Sequence, residues 1–253
     1  MFITGASSGL GQAMALEWAR RGGRLALVAR RGDEMRAWAA AQGWGPGRAE
    51  VYVADARDVA AMTAAGRACI AAQGLPDVVV ANAGISVGVD TAIESDLEVL
   101  RATLETNNLG MAATFQPFVA PMRARGSGRL VGIASVAGIR GLPGHAAYSM
   151  SKAAVIAYCE SLRGECRASG VRVVTIAPGY VDTPLTRGNR YSMPFLMPAD
   201  KFAARALDAI AAGVSFRVIP WQMGWVARLL RILPDGLYDR ALAGRPRKRR
   251  QGE

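Results

Sequence analysis

The chain has 253 residues, of which 51% are hydrophobic, 20% charged and 7% aromatic. That suits one large α/β domain and excludes a disordered, collagen-like or disulfide-stapled chain. The net charge is +11, but all except three of the 31 basic residues (Lys152, Lys201, Lys248) are arginine, scattered apart from one C-terminal cluster. The interleaved basic and aromatic residues of nucleic-acid surfaces are missing, so no nucleic-acid partner is expected.

Three separated cysteines, Cys69, Cys159 and Cys166, make neither a disulfide framework nor a zinc site and suit a reduced, cytoplasmic chain. The single histidine, His145, rules out a His cluster, so no metal is expected. There is no secretory leader pattern, and no apolar run is long enough to span a bilayer.

Short apolar runs alternate with Ala-rich helical patterns along the chain. Met1–Ile3 reads as a first strand, short for one expected at the centre of a sheet; either it is truncated or the start lies upstream. Further strands are predicted at Leu25–Ala29, Glu50–Ala54, Val78–Ala81, Leu130–Ala134, Val171–Ala177 and Phe216–Ile219. Helices are predicted at Gln12–Arg21, Glu34–Ala41, Val59–Gln73, Leu97–Arg125, Ser149–Ser169 and Asp200–Ala212. The alternation implies an α/β fold: a doubly wound, mostly parallel sheet flanked by helices, spanning residues 1–220.

Thr4-Gly5-Ala6-Ser7-Ser8-Gly9-Leu10-Gly11 lies at the first strand-to-helix junction. Glycines permit a tight turn and close backbone approach, and the helix N-terminus offers N–H groups to a pyrophosphate. The spacing G-x-x-x-G-x-G differs from the commoner G-x-G-x-x-G, and a purely structural turn is the competing reading. The second strand ends at Ala29 with Arg30 and Arg31 after it. An acid there would bind the ribose hydroxyls of NAD(H), whereas guanidinium suits a 2′-phosphate. NADP(H) is therefore expected over NAD(H), unless both arginines are only solvated. Asp33, beyond Gly32, reads as a helix cap.

Tyr148-Ser149-Met150-Ser151-Lys152 opens a helical pattern, and i, i+4 spacing puts Tyr148 and Lys152 on one face. A nearby ammonium would lower the phenol pKa and make Tyr148 a general acid or base.

These residues, with Asn82-Ala83-Gly84, Asn107, Ser135 and Pro178-Gly179-Tyr180-Val181-Asp182-Thr183, follow the order and spacing of the short-chain dehydrogenase/reductase family. The resemblance covers about residues 2–220. It implies a Rossmann-type dinucleotide-binding and catalytic domain, in which Tyr148 exchanges a proton with a carbonyl or alcohol oxygen during hydride transfer. Lys152 would hold the nicotinamide ribose and lower the Tyr148 pKa. Ser135 would bond the substrate oxygen, and Asn107 would hold a water on a proton path. The N-x-x-G spacing to Gly110 selects Asn107 over Asn108. The cofactor residues it implies are Gly5, Ser7, Ser8, Gly9, Leu10 and Gly11 of the turn, and Arg30, Arg31 and Asp55. Asn82, Ala83, Gly84, Tyr148, Lys152, Pro178, Gly179, Val181 and Thr183 complete the set. Ala81 departs from the family's usual asparagine. Members commonly form homodimers or homotetramers through the helices after Asn107 and around Tyr148.

His145 reads either as a pocket residue or as a solvated one. Leu185–Pro198 reads as an apolar lid over the substrate, with Arg187 or Arg190 placed to meet an acidic group; core or subunit packing is the competing reading. Residues 221–253 read as an amphipathic helix with a Trp221, Trp225, Leu229 and Leu233 stripe, ended by Pro234 and followed by a basic tail. The helix would cover the pocket, pack on a second subunit, or lie on an anionic membrane through residues 221–250. The expected activity is NADP(H)-dependent interconversion of an apolar carbonyl and alcohol. A non-catalytic NADP(H)-binding sensor or scaffold is the alternative.

Overall fold

The computed structural model describes residues 1–189, 191–244, 246–250 and 252. In chain order the strands are β1 (Phe2–Thr4), β2 (Leu25–Ala29), β3 (Ala49–Val53), β4 (Val78–Ala81), β5 (Gly128–Ile133), β6 (Val171–Pro178), β7 (Val181–Asp182), β8 (Met197–Pro198) and β9 (Phe216–Ile219). The first five helices are α1 (Gly9–Arg20), α2 (Gly32–Ala41), α3 (Val59–Gln73), α4 (Asp96–Leu104) and α5 (Gly110–Arg125). They are followed by α6 (Ala146–Cys166), α7 (Pro184–Arg187), α8 (Ala199–Ala211), α9 (Trp221–Ile232) and α10 (Asp235–Leu242).

Seven parallel strands form one sheet in the order β3-β2-β1-β4-β5-β6-β9, while β7 and β8 pair separately. This is a Rossmann-like doubly wound sheet. The three-residue β1 is central, with Phe2 and Ile3 paired to Ala26 and Leu27 on one side and to Val79 and Val80 on the other. The inner strands β1, β2 and β4 are buried along their whole length because both faces of the sheet are covered there. Along β2, Leu25, Leu27 and Ala29 enter one core with α1, α2 and α8, while Ala26 and Val28 enter a second with α3, α5 and α6. Strand order reverses between β1 and β4, where an open α/β sheet leaves a crevice at its carboxyl end.

Two local expectations need correction. The pattern at Leu97–Arg125 is not one α-helix: a π-helical turn, Glu105–Leu109, separates α4 from α5. Gly110 ends that turn against the Ala56 carbonyl oxygen, in space a Cβ would overlap. Asp33 is not a cap. Arg31 holds the cap position of α2, and Asp33 is exposed inside the first turn, paired with Arg36 at 2.8 Å.

The C-terminal extension is fastened to the domain by its smaller face. Trp221, Trp225 and Leu229 face solvent, and Met223 and Ala227 are the residues α9 buries. Arg140, after β5, fastens the extension. Its guanidinium donates to the carbonyls of Leu230 and Leu233, pairs with Asp235 at 2.8 Å, and stacks 3.9 Å from the Tyr238 ring centroid. The Tyr238 hydroxyl in turn donates to the Gly141 carbonyl. The basic tail then runs back over the loop after β4. Gly88 N–H donates to the Arg249 carbonyl at 2.9 Å, and Arg250 pairs with buried Asp96 at 2.7 Å. Arg245 of this cluster and Arg190 of the loop lie outside the described residues.

Candidate active site

A cleft of about 530 Å³ opens at the switch point, beyond the carboxyl ends of β1, β2, β4 and β5. The glycine turn forms its floor. Gly5 and Gly9 have positive φ, 65° and 57°, which a side-chain-bearing residue rarely adopts. A Cβ on Gly5 would stand 2.9 Å from the Ala83 Cα, so the turn can lie against the end of β4 only as glycine. Thr4 and Asn82 lock this approach. The Thr4 hydroxyl accepts from the backbone N–H groups of Asn82 and Ala83, each at 3.1 Å. The Asn82 amide returns bonds to the carbonyls of Thr4 and Gly5 at 3.0 and 3.3 Å.

The turn fits the anionic part of a dinucleotide. Among the described residues Ser8, at the cap of α1, makes no side-chain capping bond, and the first turn of α1 carries no acid. The amide donors and the positive end of the helix therefore face the cleft unopposed. Ser7, Ser8, Gly9 and Leu10 line this part of the wall. Gly11 does not; it is buried, and a Cβ there would overlap the Gly5 carbonyl.

Arg30 and Arg31 stand at the rim after β2 with exposed guanidinium groups, and Asp55 faces them after β3. Burial pushes the Asp55 carboxyl up. Bonds from the Arg57 backbone and guanidinium, with the charge of Arg30 at 3.9 Å, more than offset this and hold it below its usual range.

Tyr148, Lys152 and Ser135 meet at the inner end of the cleft. Tyr148 and Lys152 are one turn apart on α6. Ser135 follows β5 and accepts from the Ala137 N–H at 3.1 Å, so it caps a short 3₁₀ turn as well as lining the wall. Lys152 is buried, and its ammonium donates to the Ile133 carbonyl at 2.8 Å. Burial lowers its pKa from 10.5 to about 8. The Tyr148 pKa moves the other way from expectation. Burial raises it, the Ser135 hydroxyl pulls it down, and the Lys152 ammonium sits 5.7 Å from the ring centroid, directed at Ile133.

Asn107 is buried in the π turn behind the cleft wall. Its Oδ1 accepts from Ile85 N–H at 2.8 Å, and its Nδ2 donates to the Ile85 carbonyl at 3.0 Å and the Ser151 hydroxyl at 2.9 Å. It thus joins the loop after β4 to α6. Asn108 instead donates to the Ser151 carbonyl at 2.8 Å. Gly84 lies beside this group: a Cβ there would be 3.1 Å from the Asn107 Oδ1 and 3.5 Å from the Lys152 Nζ.

Pro178, Gly179, Val181 and Thr183 form the far wall, joined by Pro184, Leu185 and Thr186. Thr183 caps α7 in a reciprocal arrangement with Thr186. The expected lid is only partly realised. Leu185 lines the cleft, but Phe195 and Leu196 are exposed, and Met197 is tied into β8. Arg187 pairs outward with Asp182 at 3.0 Å. His145 is buried; its Nδ1 bonds the Pro143 carbonyl at 3.1 Å and its Nε2 meets the Tyr191 hydroxyl at 3.3 Å. Sequence reasoning missed Ser151, Ile85, Thr106 and Met62. Ser151, inside the Tyr148–Lys152 helical turn, was the one with a positional signal.

The family model for short chain dehydrogenase matches residues 1–193. An uncharacterized oxidoreductase of Myxococcus xanthus (strain DK1622) is 41% identical over 240 residues, covering 94% of both chains. A short-chain dehydrogenase from Burkholderia cenocepacia J2315, solved in complex with NADP, shares the fold with a TM-score of 0.82 at 23% identity, over 96% of both chains. A 3-ketoacyl-(acyl-carrier-protein) reductase from Brucella melitensis, solved with NADH, gives a TM-score of 0.77 at 25% identity over 86% of this chain and 95% of its own. The chain belongs to the short-chain dehydrogenase family and is an oxidoreductase of that family.

The buried ammonium has a stability signature. Because the folded pKa of Lys152 is below its unfolded value, the charged form carries a burial cost that is full below about pH 8 and fades as the pH approaches 10.5. Lys152→Met should therefore raise Tm at pH 7, by roughly 2–4 °C for each kcal/mol relieved. The gain should shrink between pH 8 and 10. Thermal melts of both proteins across that range check the sign.

Proposed function

We propose that the chain is an NADP(H)-dependent oxidoreductase that interconverts a carbonyl and an alcohol, with Tyr148 exchanging the proton. The observation that carries this is the convergence of Tyr148, Lys152 and Ser135 at the inner end of a cleft floored by a helix N-terminus. The Brucella relative, named as a ketoacyl reductase, supports the same reaction class. A bound nicotinamide dinucleotide supplies or takes up the hydride. The Tyr148 O–H gives its proton to the carbonyl oxygen in reduction and regains one from the alcohol in oxidation. Ser135 Oγ donates a hydrogen bond to the same oxygen. Lys152 holds ribose hydroxyls, and its positive charge stabilises the phenolate left after proton transfer. Asn107, through Ile85 and Ser151, fixes the loop and the helix that carry these groups and stands next to Lys152 on the proton path.

Arg30 and Arg31 support NADP(H) over NAD(H). They offer guanidinium donors at the end of β2, where an acid would repel a 2′-phosphate. Gly5 to Leu10, Asp55, Asn82 to Gly84, and Pro178 to Thr183 form the rest of the proposed cofactor wall. The three cysteines are free and buried, which suits a cytoplasmic site of action. Leu109, Met150 and Tyr158 are exposed near or along α5 and α6, which suits a homodimer or homotetramer built on those helices.

The ridge of α9 has the composition of an interfacial helix. Trp221, Trp225, Leu229 and Ile232 are all exposed, and Arg228 lies 5.5 Å over the Trp225 ring. This favours peripheral contact with an anionic membrane. Among the described residues no helix is long and apolar enough to cross one.

Tyr148→Phe should nearly abolish NADPH-dependent carbonyl reduction while leaving NADPH binding intact; full activity excludes Tyr148 as the proton donor. A wild-type chain that binds NADPH yet turns over no carbonyl in a broad panel would support the non-catalytic sensor instead. Arg30→Asp should weaken NADPH at least roughly tenfold more than NADH, the loss of one charge-assisted phosphate contact. Fluorescence titration of both nucleotides measures that ratio, and equal losses refute the assignment. Flotation with anionic liposomes should carry the wild type upward and leave Trp225→Ala behind. A ridge that instead holds two copies together would show as a Trp225-dependent dimer in sedimentation.

A further inference from the structure

We propose that residues 246–250 form the outer wall of the substrate cleft and that Lys248 binds a carboxylate there, so that the preferred substrates are oxo acids or the matching hydroxy acids. This rests on the carbonyl–alcohol reading above and adds the charge of the substrate to it.

The segment is held at three places. Arg247 stands 3.7 Å from Asp90 and packs its aliphatic stem near Gly144. Gly88 bonds the Arg249 carbonyl, and Arg250 makes paired contacts to Asp96 at 2.7 and 3.0 Å. Asp96 also accepts from the Asp90 N–H at 2.7 Å, so the anchor and the loop it grips are one network. The strap therefore joins the loop after β4 to the loop that leads into α6.

Lys248 is placed differently from its neighbours. Its ammonium donates to the Ser86 hydroxyl at 2.9 Å and approaches the Leu185 carbonyl at 3.5 Å. Ser86 directly follows Ile85, and both Ile85 and Leu185 line the cleft. The cation thus bridges the two lips of the opening. Arg247 and Arg250 have acidic partners, whereas among the described residues no carboxylate pairs with Lys248. Burial lowers its pKa to about 8, the signature of an ammonium short of opposing charge.

Beside this segment, the His145 ring and the Tyr191 hydroxyl are joined to each other. The Pro143 carbonyl can only accept, so His145 Nδ1 carries its proton and Nε2 accepts from the Tyr191 hydroxyl. Burial, together with the charge of Lys248, lowers the His145 pKa against the opposing pull of the Pro143 carbonyl. Arg187, the sequence-based candidate for meeting an acid, is turned outward to Asp182. An incoming carboxylate would find Lys248 as the cation at the mouth, beside the Ser86 hydroxyl.

The test uses the full chain and a ladder of probes: acetoacetate, levulinate and 5-oxohexanoate, each with its methyl ester. Two readouts run in parallel. One is NADPH oxidation; the other is the shift in Tm produced by each probe in the presence of NADP. Wild type should prefer at least one acid over its ester, and Lys248→Met should raise the KM of that acid roughly 10- to 100-fold with little change for the ester. Lys248→Arg should restore part of the preference. Gly88→Ala, whose Cβ would overlap the backbone of Lys248 and Arg249, should expel the strap and lower the acid-to-ester ratio in the same direction. Equal treatment of every acid and ester by wild type, or a preference that survives Lys248→Met, overturns the proposal. Should no probe be reduced, the carbonyl reading is what has failed. The melting shifts then decide the carboxylate site: a Lys248-dependent shift with acids alone supports it, and matching shifts with acids and esters reject it.

Discussion

A buried ammonium at the carboxyl end of β5 sets the terms for the whole site. Removing Lys152 from water is costly, and the structure compensates with one carbonyl, that of Ile133. Space for that arrangement comes from missing side chains. Gly84 leaves room for the Asn107 side chain, whose Oδ1 would be 3.1 Å from a Cβ there, and Gly138 lets the 3₁₀ turn after Ser135 lie against the Lys152 backbone, where a Cβ would be 2.5 Å from its carbonyl carbon. Asn107 then ties the opposite wall to the same helix through Ser151. The phenol, the serine and the loop after β4 are gathered around this one charge. A buried ammonium with so little compensation is a functional-site candidate on physical grounds, because it adds no stability of its own.

Much of the frame was legible in the sequence because it depends on local periodicity. Leu25–Ala29, Val78–Ala81, Phe216–Ile219 and Val59–Gln73 were bounded by composition, since short apolar runs end at Arg24 and Arg30, at Asp77, and at Ser215 and Pro220, and the helix lies between Asp58 and Gly74. The glycine turn and the Tyr148–Lys152 pair were legible because each needs fixed residue types at fixed spacing. What escaped depends on distant partners. The π turn at Glu105–Leu109 accompanies the close approach of Gly110 to Ala56, more than fifty residues away in sequence. Asp33 had the chemistry of a cap but lies two positions past the cap, which Arg31 holds. The rise in the Tyr148 pKa came from burial, which spacing along a helix does not report.

The C-terminal extension shows the same limit more sharply. Its amphipathic period was plain, but the period alone did not say which face this chain would cover and which it would leave exposed. The face α9 buries is the smaller one, Met223 and Ala227, because Gly179 and Gly224 let the helix sit close on β9 and the turn after β6. The basic cluster likewise had the look of a solvated tail. Its return across the loop after β4 hinges on Gly88 and on Asp96, two residues with no local pattern to mark them.

The central position of β1 bears on how the chain assembles. Phe2 must find Val79 before the middle of the sheet exists, whereas β4, β5 and β6 can join through successive crossovers. A pairing of such sequence separation carries a large loop-closure entropy and is slow to form. Until it does, β4 presents an unprotected edge of Val78, Val79 and Val80, a short sticky segment of the kind that recruits other strands. Yield in refolding should therefore be limited by concentration, with dilute conditions favouring the monomeric route to the native sheet.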